Sequence, residues 1–183
     1  MKYSKKEIID ISKAWAAISL AFAILLRSST GSFLTSLILS ALTVGVGFLL
    51  HELGHKYLAQ KYGCFAEFRS FDQMLILAIA LSFFGFIFAA PGAVFISGYV
   101  NRERNGKISA IGPVINIVLA VLFLLLTIFS TGFLSLIGTY GSSINAWLAL
   151  FNMIPVWNFD GRKVWGWNKF VWASIALVAF VLL

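Results

Sequence analysis

The sequence predicts an all-α polytopic membrane protein of five to six transmembrane helices, with a small re-entrant or membrane-edge β-hairpin, and three observations carry that expectation. Of 183 residues, 60% are hydrophobic and 11% charged, whereas soluble domains hold about 45–50% apolar and about 25% charged residues. Mean hydropathy is +0.92, more apolar surface than a water-facing domain of this size can hide, so lipid is the implied partner. The apolar residues also come in runs as long as a bilayer is thick, and one such stretch is interrupted by Pro91-Gly92.

Taken in order, the runs fall at about 11–26, 33–53, 108–129, 133–154 and 171–183. Each approaches or reaches the roughly 17–25 residues that a span requires, and each is too apolar on every face for an amphipathic surface helix. Lys2, Lys5 and Lys6 before the first run imitate a signal peptide. No small-residue cleavage site precedes Arg27, so the run is expected to stay as a membrane helix.

The stretch 74–97 is apolar enough to count as a sixth crossing. Charge argues against that. With the amino terminus in the cytoplasm, Lys56, Lys61 and Arg69 lie inside after two crossings. If 74–97 does not cross, Arg102, Arg104 and Lys107 also lie inside, as do Arg162, Lys163 and Lys169, leaving Arg27 outside. The stretch is therefore read as a re-entrant or membrane-surface helix followed by a hairpin: strands 86–90 and 93–97, with Pro91-Gly92 as the turn. Such backbone is tolerated at membrane depth where protein or a wet cavity shelters it.

The net charge of +7 fits cytoplasmic flanks of membrane helices, and no basic stripe with interleaved aromatics points to nucleic acid. The single cysteine, Cys64, excludes an internal disulfide and reads as a small packing residue. Without repeats or linkers, residues 1–183 read as one membrane domain.

Both histidines stand in His51-Glu52-Leu53-Gly54-His55 at the end of an apolar run. Positions i and i+4 share a helix face, so two imidazoles can grip one cation while Glu52 reaches a coordinated water: the H-E-x-x-H zinc pattern. Ionisable residues at membrane depth are costly, which favours function. Catalytic zinc takes three protein ligands and leaves a fourth position open. The acids are Glu7, Asp10, Glu52, Glu67, Asp72, Glu103 and Asp160. Asp160 alone follows a long apolar helix through a helix-breaking turn, in which Pro155 stops the helix and Asn152 and Asn158 are placed to meet freed carbonyls.

The pairing of HELGH with Asn152-x-x-Pro155-x-x-x-x-Asp160-Gly161 resembles the site-2 protease family of intramembrane metalloproteases. Gly112-Pro113-Val114-Ile115-Asn116, read as opening a helix, and the Pro91-Gly92 hairpin between the motifs fit as well. The resemblance spans a catalytic core of about 33–161, with flanking helices at 11–27 and 170–183. It implies one Zn2+ per chain held by His51, His55 and Asp160, with Glu52 as catalytic acid/base. It implies a multi-pass cell-membrane protein, its active site nearer the cytoplasmic side, that cuts transmembrane-helix segments of protein substrates. The chain departs from the family in Trp157-Asn158-Phe159, in a long apolar insert at 74–85, and in showing no regulatory domain.

A helical substrate must unwind before it can be cut, and strand 93–97 is expected to receive the opened segment by strand addition. Gly138, Ser142 and Ala146, like Ala41 and Gly45, offer small-residue faces for close helix packing. Asn116 and Asn152 are read as packing and capping residues ahead of any role with substrate. Trp157, Trp165, Trp167 and Trp172 suggest an interfacial belt. Two alternatives stand beside this reading. An H-E-x-x-H enzyme with a downstream glutamate ligand is disfavoured because no glutamate follows Glu103, and an inactive zinc-holding scaffold would have no use for Glu52.

Overall fold

A computed structural model describes residues 1–87 and 91–183. The chain is a helical membrane protein with a two-stranded antiparallel sheet. Helix α1 spans Lys5–Thr30, opened by the Ser4 hydroxyl, which accepts from the Glu7 N–H, and closed by Gly31 at φ +70°. Helix α2, Phe33–Ser40, runs through a π-helical turn at Ala41–Gly45 into α3, Val46–Lys61. The π turn frees backbone carbonyls, and Trp15 Nε1 of α1 donates to Ala41 O at 3.2 Å. Gly45 lets the two helices meet there: a Cβ would stand 2.7 Å from both Ser19 Oγ and Trp15 Nε1.

Among the described residues three helices, Lys5–Thr30, Phe33–Lys61 and Arg102–Phe129, are long and apolar enough to cross a membrane. Their outward residues suit lipid; Ile128 and Phe129 of the third are 63% and 83% exposed. Helix α6, Gly132–Asn152, has 21 residues and carries Gly, Ser and Asn along its inner face. Helix α8, Lys169–Val181, is apolar and shorter. Helix α7, Asp160–Trp167, is a short polar connector whose Val164 packs with Met153 and Ile175. Gly138, of the expected small-residue face, and Gly141, outside it, press α6 onto Phe123 and Thr127 of α5, Arg102–Phe129.

The sheet corrects the expected hairpin. Strand β2, Gly92–Ser97, pairs with β1, Phe65–Ser70, from Phe65↔Ser97 to Ser70↔Gly92. Gly92 therefore lies in a strand rather than a turn. Phe86 and Ile87 are irregular, and residues 88–90 of the expected first strand lie outside the described residues. The sequence reading passed over β1, although Ala66 and Phe68 are buried in alternation with Glu67 and Arg69. The insert carries α4, Asp72–Ser82, and leaves and re-enters at the Ser70–Gly92 end of the sheet, so it adds no net crossing.

Glu7 of α1 fastens this sheet to α3. Its carboxylate receives the Lys56 ammonium at 2.6 and 2.5 Å and the Phe68 N–H at 2.9 Å. Lys56 also sits 3.8 Å from the Tyr3 ring centroid, a cation–π contact. Cys64 is free and buried among Ala59, Ala66 and Ile108, the packing role expected of it.

Candidate metal centre

Residues far apart in the chain meet where α3, α5 and the start of α7 converge. His51 and His55 lie on one face of α3, and Asp160 opens α7, 109 positions after His51. Asp160 Oδ2 stands 3.2 Å from His51 Nε2 and 3.1 Å from His55 Nε2. All three side chains are buried, and their ligand atoms lie within 4.8 Å of one another.

The other ring nitrogens are already committed. His55 Nδ1 lies 2.7 Å from the Ile108 carbonyl, an acceptor, so Nδ1 carries the proton. That carbonyl belongs to α5, five residues before Pro113, whose missing N–H leaves the neighbouring Ser109 carbonyl without its helical donor. His51 Nδ1 lies 2.6 Å from Asn116 Oδ1. Both Nε2 lone pairs then face a carboxylate oxygen, an all-acceptor arrangement that a shared cation relieves and that matches zinc's preference for imidazole and carboxylate. Gly112 completes the cradle: a Cβ there would stand 2.6 Å from Nε2 of both histidines, so the glycine keeps that face open. The Gly112-Pro113 motif is interior to α5, not at its opening, because the helix begins ten residues earlier at Arg102.

Glu52 points from the same helix toward the sheet, where its Oε2 accepts the Val94 N–H at 3.2 Å. Pro155 ends α6 as expected, and Asn152 Nδ2 donates to Leu148 O at 2.9 Å. Other groups hold the turn that aims Asp160. Trp172 Nε1 donates to Met153 O at 2.6 Å, and Arg162 donates to Trp157 O at 3.1 Å. Trp157 itself takes φ 45°, a left-handed backbone unusual for a bulky residue. Gly161 lies against the Met153 carbonyl so closely that any Cβ would overlap it.

The chain is 44% identical over 180 residues to MJ0611 of Methanocaldococcus jannaschii, provisionally named a zinc metalloprotease; the match covers 96% of this chain and 92% of that protein. The chain belongs to this zinc metalloprotease family. It is also 28% identical over 122 residues to the zinc metalloprotease MJ0392 of the same organism, covering 65% of this chain and 31% of that longer relative. No family model matches, and no solved structure matches. Metalloprotease membership agrees with the H-E-x-x-H geometry. Sequence reading passed over Asn145, which the structure joins to this centre through Asn116. A lone asparagine on an apolar helix, opposite a second one, was the available signal.

Proposed function

We propose that this metalloprotease is an intramembrane endopeptidase of the site-2 protease type, holding one Zn2+ per chain with His51, His55 and Asp160 and cleaving transmembrane segments of protein substrates. The observation that carries this reading is the convergence of three buried acceptors, on a helix of membrane-spanning length and on a turn 109 residues away. Residues 1–183 act as one domain with its catalytic core at 33–161. The centre sits nearer the cytoplasmic side of the cell membrane, where the charge bias of the flanks favours it.

His51, His55 and Asp160 would hold the zinc, which when bound would supply a Lewis acid and lower the pKa of water toward about 7. Glu52 takes a proton from the attacking water and returns it to the departing amine nitrogen. The buried position of the two histidines and Asp160 keeps the site in low dielectric, where charge developing on the scissile carbonyl interacts strongly. Strand β2 is paired with β1 on one side, while its Val94 N–H turns the other way, toward Glu52. That edge, unpaired by any strand among the described residues, receives the unwound substrate and delivers its backbone beside the general base.

The test measures zinc per purified chain alongside cleavage of a single-helix membrane substrate in bilayers, for wild type and Asp160→Ala. One zinc and cleavage in the wild type, with both lost in the variant, is the expected result. A variant that keeps its zinc sinks the ligand assignment, and cleavage confined to soluble peptides sinks the intramembrane one. Val94→Pro removes the N–H at the edge and is expected to reduce cleavage several-fold more than it reduces zinc content. Equal loss of both would refute strand addition.

A further inference from the structure

We propose that Asn145 is a positioning residue for the metal centre, fixing through Asn116 which nitrogen of His51 carries the proton. This inference rests on the zinc reading above. Asn116 and Asn145 are both 0% exposed, and their amides form a chain across three helices. Asn145 Nδ2 donates to Gly141 O at 2.9 Å, within α6. Asn116 Nδ2 donates to Asn145 Oδ1 at 2.9 Å and to Gly47 O of α3 at 3.2 Å. Asn116 Oδ1 then faces His51 Nδ1.

The direction of every bond in this chain is set at its ends. Gly141 O and Gly47 O are carbonyls and only accept, so each must meet an amide NH2. The two ends therefore orient both side-chain amides, and Asn116 is left with its oxygen toward His51. His51 Nδ1 must carry the proton, and its Nε2 presents a lone pair to the space shared with His55 and Asp160. A reversed Asn116 amide would set NH2 against Nδ1, moving the proton to Nε2 and blocking the donor atom. Asn145 opposes that reversal together with Gly47, because its oxygen accepts the shorter of the two bonds from the NH2 of Asn116. The close fit is visible at Gly47, where a Cβ would overlap Asn145 Oδ1. Partners of this kind behind a metal-bound histidine change affinity by about 10- to 100-fold.

The experiment measures zinc affinity by competition with a chromophoric chelator for the full chain in nanodiscs, comparing wild type, Asn145→Leu and Asn145→Asp. A protonated carboxyl at 145 accepts from Asn116 and donates to Gly141 as the amide does, whereas leucine, branched alike but bulkier, offers neither bond. The expected result is affinity within about threefold of wild type for Asn145→Asp and a loss of about 10- to 100-fold for Asn145→Leu. A packing role alone leaves the proton of zinc-free Asn145→Leu on His51 Nδ1, whereas the proposal releases it to Nε2. Equal affinities for all three proteins, or Asp falling with Leu, overturn the proposal. A second readout does not need Asn145→Leu to fold: long-range 1H–15N spectra of zinc-free wild type should show His51 protonated at Nδ1, and an Nε2–H tautomer overturns the proposal. A wild type that binds no zinc overturns the metal reading itself, which separates that failure from this one.

Discussion

Glu52→Gln is expected to lower cleavage of a membrane-helix substrate by roughly a hundred- to ten-thousand-fold, the usual contribution of a general acid/base, while zinc content stays at the wild-type level. Glutamine keeps the length and an oxygen for the Val94 N–H, so the helix and the sheet contact at 3.2 Å survive. What disappears is a group that can hold a proton between the attacking water and the leaving amine. Zinc by atomic absorption and cleavage by mass spectrometry on the same preparation separate the two effects. An unchanged rate would remove Glu52 from the chemistry and with it the mechanism proposed above.

A comparable loss, in stability instead of rate, is expected for Glu7→Ala. The Lys56 ammonium is 0% exposed and Glu7 1% exposed, so removing the carboxylate leaves a cation enclosed among Tyr3, α3 and β1. Breaking a buried pair from one side costs about 3–5 kcal/mol. At roughly 2–4 °C per kcal/mol for a chain of this size, Tm should fall by roughly 6–20 °C. The Phe68 N–H loses its acceptor as well, which loosens β1 against α3. Glu7→Met combined with Lys56→Met removes both charges and should recover most of that loss, because an apolar pair of similar volume is often neutral or better. Thermal unfolding followed by circular dichroism in detergent measures both proteins. If the double variant were as unstable as the single one, the unpaired charge would not be the cause.

Both results depend on contacts that differ in how visible they are along the chain. The histidine pair is local: four residues on a helix fix their shared face, and seven acidic residues left few candidates for a third donor. The helices were legible for a similar reason, since runs of apolar residues need no partner to be recognised. Strand β1 was hidden because Phe65–Ser70 is short and begins close after the motif helix, where only the alternation of Ala66 and Phe68 marks it. The partner of β2 was therefore sought at 86–90 instead of at 65–70. The Glu7–Lys56 pair joins residues 49 apart, and the Asn116–Asn145 bond residues 29 apart. Pairings of that kind are decided by how helices pack, which no local pattern records. The turn before Asp160 was half legible: Pro155 marked the helix end, while its hydrogen bond from Trp172 comes from a helix that follows it.

The wide turn at Ala41–Gly45 sets the bearing of everything downstream. It takes one residue more than the regular winding it replaces, and one residue on an α-helix is a rotation of about 100°. A homologue of the same length that wound 41–45 as regular α-helix would keep HELGH, its helix and its hydropathy, yet both imidazoles would swing away from Ile108 and Asn116. Possession of the five-letter signature and its compass heading are separate traits. The winding of the turn at 41–45 is what distinguishes them.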